Sequence, residues 1–429
     1  MRALILVLLV LLPAELKAGE LQKLIALALK NSKEIQKSKI DYKISDLLYR
    51  EAVSGYFPKV DLFYRKTNLT DSPSYSFGLP GLPPASFSLF NRSYYQFGVN
   101  LSQPLFTGGE ITYSVKLREK EKKATYYLFK EAVNRVVFTV KEDYFNLLKA
   151  KAAVDTAKAY YAAAEKHYED VKAFFDEGIV PRRDLLEAEV KLRDAEEKVA
   201  SAESLYTVAL EKLKTDVGVP ELPFKPKAHL TYRPVKLSLN SLLKTAYSCR
   251  PLIQYVSMVK KAAAEGVKLS ASAFSPKLFL NIGYQKTDQY PGSAYSSTAV
   301  SVTLSFPLFE GGRRFLQLEK AREERRKAEV SLKEVKEKVR LQVVSAYTKL
   351  QSAAARIKTA RAQVKEAKEL LRDSEERYRE QVGTSTEVVD ALAYLYAARS
   401  ALNTALADYN IALSELEFAV GKPLLRGER

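Results

Sequence analysis

The chain repeats itself, and the repeat restricts the folds open to it more than any other feature. Residues 21–58 align with 239–276 at an offset of 218, pairing Leu24 with Leu242, Ala28 with Ala246 and Ile35 with Ile253. Residues 104–218 align with 307–421 at an offset of 203, so that PLFTGG at 104–109 meets PLFEGG at 307–312. A fixed offset marks a duplicated supersecondary unit. The two offsets differ by 15, and the difference falls between Pro58 and Pro104, so the first repeat has the longer strand connection. The extra residues lie within 68–93, rich in Pro, Gly, Ser and aromatics, which reads as loop rather than strand or helix.

Within each unit the longest pattern is helical. Leu185, Ala188, Leu192, Ala195, Val199, Ala202, Tyr206, Ala209 and Leu213 keep steps of three and four, and at offset 203 they become Val388, Ala391, Leu395, Ala398, Leu402, Ala405, Tyr409, Ala412 and Leu416. Alanine at alternate knobs lets neighbouring helices approach closely, and a heptad period imposes left-handed supercoiling. An ordinary coiled coil accounts for this stripe by itself. Residues 109–175 form one uninterrupted helical pattern, roughly 100 Å at about 1.5 Å per residue. Two shorter helices, 21 to about 56 and 184–216, nearly sum to that length, so stacked end to end they could run beside it.

Strands interrupt the helical pattern. Tyr95, Phe97, Val99 and Leu101 alternate with Gln96, Gly98, Asn100 and Ser102, and Val300, Val302, Leu304 and Phe306 alternate with Ser301, Thr303 and Ser305. Their expected partners are Val60, Leu62 and Tyr64, and Leu278, Leu280, Ile282 and Tyr284. Runs of about ten residues with one apolar and one polar face suit tilted outer-membrane strands, although a soluble sandwich edge alternates too. Four strands cannot close a barrel, because the smallest have about eight, so closure requires several copies.

The N-terminus reads as an export signal: Arg2 supplies the positive flank, residues 4–12 the apolar run, Pro13 the break, and Ala18 the expected cleavage site. No later stretch reaches the roughly 18 to 20 apolar residues of a membrane helix, which leaves spanning to strands. The single cysteine, Cys249, can form no internal disulfide and is expected to be an inert packed residue. A net charge of +17 suits nucleic acid, but the Lys and Arg residues are interleaved with Glu and Asp along helices, and export disfavours that partner.

Over essentially the whole mature chain, the paired PLF-GG segments, the FP and SP entries to the first strands, and the turns GIVPRRDLLEA and GTSTEVVDALAYLYAAR resemble the TolC family of outer-membrane efflux proteins. The resemblance implies an α plus transmembrane β fold: a long antiparallel coiled-coil α-barrel continuous with a 12-stranded β-barrel formed by a homotrimer in outer-membrane lipid. It further implies a periplasmic adaptor and an inner-membrane pump as partners, with cargo leaving by efflux or type I secretion. The expected organisation is a signal peptide at 1–18, repeats at 19–218 and 239–421, a linker at 219–238 and a tail at 422–429.

The far tip is then the pair of interhelical turns at 176–184 and 381–387, with Gly178 and Gly383. The family's two pore-narrowing acids match Glu387 and Asp390, one helical turn apart, though an acid at Glu387 is also ordinary chemistry for a helix N-terminus. Asp184 matches the family's acid in the first turn. The basic residue expected after Gly-Thr is Ser385 here and the second turn is two residues short, so Arg182 and Arg183 are the candidates to replace it, or the latch is built differently. Tyr378 resembles a gate tyrosine only loosely, and helix packing explains it equally well. Gly108-Gly109 and Gly311-Gly312 are expected to turn strand into helix.

An enzyme finds no support. His167 and His229 stand alone, no Cys or His cluster has metal spacing, no GxxxxGK[ST] loop is present, and no cofactor is expected. The competing reading is an exported coiled-coil adaptor or scaffold without a pore, which needs neither the strand pairs nor the duplication.

Overall fold

The structure is a computed structural model and describes residues 19–81 and 83–424. The export signal and the end of the C-terminal tail lie outside the described residues. Element order is α1 (Glu20–Asn31), α2 (Lys33–Ser54), β1 (Lys59–Asn68), β2 (Ser74–Phe77), β3 (Ala85–Ser88), β4 (Ser93–Phe106), α3 (Glu110–Asp176), α4 (Arg182–Val217), α5 (Leu239–Cys249), α6 (Pro251–Ser272), β5 (Lys277–Thr287), β6 (Tyr295–Ser305), α7 (Arg313–Arg379) and α8 (Ser385–Val420). Helices α3 and α7 have 67 residues each, and α4 and α8 have 36 each. None of the described helices is long and apolar enough to cross a membrane. The chain divides into two compact units, one built from residues up to 41, 126–254 and 333 onward, the other from 42–125 and 255–332, so each repeat contributes to both.

The first unit is helical. Alanines of the heptad stripe are buried as the pattern demands: Ala188, Ala195 and Ala202 on α4, and Ala391, Ala398, Ala405 and Ala412 on α8. A second cluster joins Leu24 and Ala28 of α1, Ile35 of α2, Val136, Val140 and Leu147 of α3, and Leu213 and Val217 of α4. Fully burying one such leucine is worth about 1.5–3 kcal/mol.

One expectation fails here. The sequence reads a single helix from 21 to about 56, whereas the structure breaks it at Ser32, whose ψ of 124° leaves the helical region, and α1 packs beside α4. The same break recurs at Arg250, with ψ of 118°. In this copy the cause is legible: Pro251 follows, and a residue before proline is pushed out of the α region. Each break receives the end of a neighbouring helix. A Cβ on Gly218, the left-handed cap of α4, would lie 3.1 Å from Asn31 Cβ, and one on Gly421, the cap of α8, only 2.9 Å from Arg250 Cα.

Arg250 is also the most heavily buried cation of this unit, at 1 % exposure. Its guanidinium pairs with Glu131 at 2.7 Å and lies 3.9 Å from the centre of the Phe418 ring, which stacks on Phe138. Two helix C-termini, those of α5 and α8, meet at Arg250, so their dipoles favour a cation there. Burial nevertheless raises the Glu131 pKa and lowers that of Arg250, against the pull of the pair. The break also corrects the expectation for Cys249. The buried stripe of α5 runs Leu242, Ala246, Arg250, and Cys249 faces outward as an exposed thiol.

The second unit holds an antiparallel sheet in the order β1-β4-β5-β6. Register pairs Val60 with Leu101, Leu62 with Val99, Tyr64 with Phe97, Leu101 with Ile282 and Ile282 with Val300, so the apolar residues of all four strands share one face. A second correction concerns the first strand connection. Its residues are not all loop: β2 and β3 form a two-stranded ribbon with Tyr75 opposite Phe87 and Ser76 opposite Ser86. Every second residue is serine there, and that alternation was the strand signal the loop-forming composition concealed.

Candidate functional site

Two places concentrate the residues that matter: the interhelical turns of the helical unit, and the faces of the sheet.

Helix α3 ends in a Schellman-type turn, where Ile179 N–H donates to Phe174 O at 2.8 Å and Gly178 takes a left-handed φ of 73°. Pro181, extended at ψ 154°, caps α4, and Asp184 lies in its first turn. The end of α7 repeats the geometry, with Val382 N–H donating to Arg377 O at 3.0 Å, but the left-handed residue is Gln381, at φ 61°. Gly178 and Gln381 are equivalents at offset 203. Gly383 serves a different purpose: a Cβ there would lie 3.0 Å from Arg377 Cβ and 3.2 Å from Glu387 Oε2. Thr384 caps α8 by accepting a bond from Glu387 N–H at 3.3 Å.

The N-termini of α4 and α8 lie side by side, and Thr386 Oγ1 donates to Glu187 Oε2 at 3.3 Å. Glu187 was missed in the sequence reading although offset 203 maps it onto Asp390, just as it maps Asp184 onto Glu387. Each turn thus leads into two acids three residues apart. Glu387 and Asp390 are exposed, Asp184 is half-buried, and Arg182 and Arg183 are exposed. Among the described residues none of these five makes an ion pair, so neither arginine engages Asp184.

Behind the turns, Ser385 is buried and its Oγ lies 3.0 Å from Nε2 of His167, which is therefore not isolated in the fold. Burial lowers the His167 pKa despite nearby Asp170 and Glu187. Tyr378 packs between His167, 5.2 Å between ring centres, and Phe174, at 5.7 Å. Its buried hydroxyl has no hydrogen-bond partner among the described residues, and burial with the Asp184 and Asp170 carboxylates pushes it up to about 12. Contact across the helices thus comes from the Thr386–Glu187 and His–Ser bonds and from aromatic packing.

In the sheet, Val60, Leu62, Tyr64, Val300, Val302 and Leu304 are exposed, at 60 to 68 %. The opposite face carries Gln96, Asn100, Ser102, Asn281, Gln285, Ser297, Ser301 and Thr303. Phe63 and Phe279 are apolar intrusions on it, and Phe63 lies against Gly98, where a Cβ would come within 2.6 Å of the ring. β1 and β6 each have one edge with no partner strand among the described residues. Gly108 and Gly109, at φ 61° and 90°, and Gly311 and Gly312, at 59° and 82°, lead from strands into helices in conformations that L side chains rarely adopt. No group of three or more His, Cys, Asp or Glu residues able to hold a metal ion occurs among the described residues.

The sequence profile described as outer membrane efflux protein matches residues 24–219 and 242–422. The chain is 22% identical to outer membrane efflux protein BepC of Brucella suis biovar 1 over 336 residues, 76% of this chain and 68% of that protein. It is 22% identical to outer membrane protein TolC of Escherichia coli over 205 residues, 48% of this chain and 40% of that protein. Among solved structures, VceC of Vibrio cholerae superposes with a TM-score of 0.80 at 19% identity, covering 95% of this chain and 97% of VceC. The open state of the MtrE outer membrane channel of Neisseria gonorrhoeae gives 0.79 at 20% identity, covering 96% of this chain and 91% of MtrE.

Proposed function

Because this chain belongs to the outer membrane efflux protein family, we propose that three copies of it form one export channel, their three four-stranded sheets closing a 12-stranded bore. Membership places the protein in the outer membrane with a long periplasmic helical portion, and its curated relatives are outer membrane efflux proteins. The observation that carries the proposal is the sheet itself. It has an exposed apolar face, a polar face and two unpaired edges, and a sheet edge inside a bilayer must be paired. Lipid takes the apolar face, and the polar face lines the bore.

In this reading the helices continue as a periplasmic tunnel. Its tip meets a periplasmic adaptor and an inner-membrane pump, and small molecules or proteins leave through it. The purified chain in detergent should have the mass of three copies and should conduct in planar bilayers. A monomer without conductance would favour the scaffold reading.

At the tip, Glu387 and Asp390 from three copies give six carboxylates around the axis, whose repulsion favours a cation-occupied constriction. Divalent or trivalent cations added from the tip side should block the wild type and lose that block in Glu387→Ala/Asp390→Ala. Unchanged block would remove the ring.

A further inference from the structure

The four strands of the sheet are strongly biased in charge. β4 and β6 carry no charged residue, β5 carries only Lys277 and Lys286, and β1 carries Lys59, Arg65, Lys66 and a single acid, Asp61. Register assigns these to faces. Lys66 opposes Tyr95 and Lys286 opposes Phe97, so both lie on the apolar face, near the stacked rings of Tyr64 and Tyr95. There their long stems reach toward a polar headgroup layer, as lysines at a membrane boundary do.

The polar face has the remainder. Lys59 pairs with Asp61 at 3.2 Å, and Lys277 pairs with Glu110 at the foot of α3. Arg65 opposes Gln96, which opposes Thr287, and it is exposed. Among the described residues it is the one charged side chain of that face without an ion pair.

No acid forms an ion pair with it among the described residues. Asp61 is four residues away along the strand, about 13 Å, which exceeds the screening length of about 10 Å in 0.1 M salt. Asp288, just beyond β5, forms no ion pair with Arg65 among the described residues; its Oδ1 accepts from Tyr95 N–H at 2.7 Å. The free edge of β1 must take another strand to close a bore, and the free edge available is that of β6, which brings Tyr295 with Ser, Thr and Ala to the polar face and no acid in any register.

We propose that Arg65, repeated around the axis, gives the outer bore a preference for anions, so that the solutes suited to leave by this route are anionic. The proposal rests on the three-copy barrel reading. A ring of like positive charge on a wall otherwise without net charge raises the local concentration of anions and repels cations. Arg65 supplies the net charge of that face of the strands, because its other charges are paired.

The test is the reversal potential of single channels in a KCl gradient, wild type against Arg65→Gln, Arg65→Glu and Lys66→Gln. It is run in the Glu387→Ala/Asp390→Ala background so that acids at the tip do not mask the bore. The chloride-to-potassium permeability ratio should fall about twofold or more in Arg65→Gln at about 0.1 M salt, where screening is weak, and shrink toward no difference near 1 M. Arg65→Glu should invert the preference, and Lys66→Gln, on the lipid face, should leave it unchanged. Conducting channels with the same ratio in wild type and Arg65→Glu would overturn the proposal while leaving the barrel standing. Absence of conductance from the unmodified protein would overturn the barrel reading and this proposal with it. A variant that conducts poorly is read by its potential, which does not depend on channel number.

Discussion

The two repeats match helix for helix, with 67 residues in each long helix and 36 in each final one, and differ in the strand connection, where the first alone carries the β2–β3 ribbon. Yet the chemistry at equivalent helix joints differs, and the second repeat is the more tightly committed at its break. Where the first repeat bends its leading helix at a small serine, Ser32, the second does so at Arg250, buried against Glu131 and Phe418. Between the long and short helices the asymmetry reverses. Asp143 is buried on α3, bonded to Lys212 of α4 and next to Asp216, whereas offset 203 places buried Ala346 and Ala419 at the second-repeat equivalents of the two aspartates. At the turns the first repeat uses Gly178 and the second Gln381 for the same left-handed residue. A duplicated fold thus keeps its geometry while separate polar devices stabilise each copy.

The strongest way to break that comparison is to remove one partner of the buried pair. Arg250→Met leaves Glu131 buried and uncompensated, and should cost about 3–5 kcal/mol in denaturant unfolding, most of it recovered by adding Glu131→Met. Ser32→Ala at the equivalent break should cost about 1 kcal/mol or less, since its hydroxyl makes one long bond, 3.5 Å, to Ile35 N–H. Equal losses at the two breaks would refute the asymmetry.

Acidity sharpens the contrast at the helix pair. Burial and the shared bond with Asp216 outweigh the Lys212 ammonium and push Asp143 up to about 7, whereas Lys212 gains from the same contact and its pKa rises. A carboxyl whose folded pKa lies above its unfolded value favours the protonated state. Its contribution is therefore full below about pH 4 and is lost as pH rises toward 7. Wild-type stability should fall across that window by up to about 1.4 kcal/mol per pH unit for one proton. Asp143→Asn should flatten the slope. An unchanged slope would mean that Asp143 does not titrate there.

The smallest effects lie at the turns. Gln381→Gly removes a left-handed non-glycine residue and should raise stability by up to about 1 kcal/mol, while Gly178→Ala should lower it by about 1–2 kcal/mol. Paired thermal melts would read both, and matching signs would show that the turns are not equivalent in strain.

The parts of this fold governed by periodicity were legible in the sequence. The heptad alanines predicted which faces of α4 and α8 are buried, and alternation predicted the pairing of β1 with β4 and of β5 with β6, with one apolar face. What escaped is set by single residues. The break at Ser32 has no proline of its own and could be read only by carrying Pro251 back through the repeat. The ribbon of β2 and β3 is hidden by glycine and proline on either side of it. Beside the interhelical turns, Asp184 and Glu387 lie in the first turns of α4 and α8 and Asp390 one turn further along α8, as the sequence places them, but the His167–Ser385 bond joins residues 218 apart that no local pattern connects. Arg182 and Arg183, expected as partners for Asp184, face outward instead.

The central claim is that β1 of one copy pairs with β6 of the next and that three copies close the ring. A disulfide scan tests it directly. In a Cys249→Ser background, Tyr64→Cys on β1 is combined in turn with Thr298→Cys, Val300→Cys and Val302→Cys on β6, and the membrane-inserted protein is oxidised. The account predicts that at least one combination gives a covalent ladder ending at three chains. A ladder that stops at two or runs past three, or no cross-link in any combination, would contradict it.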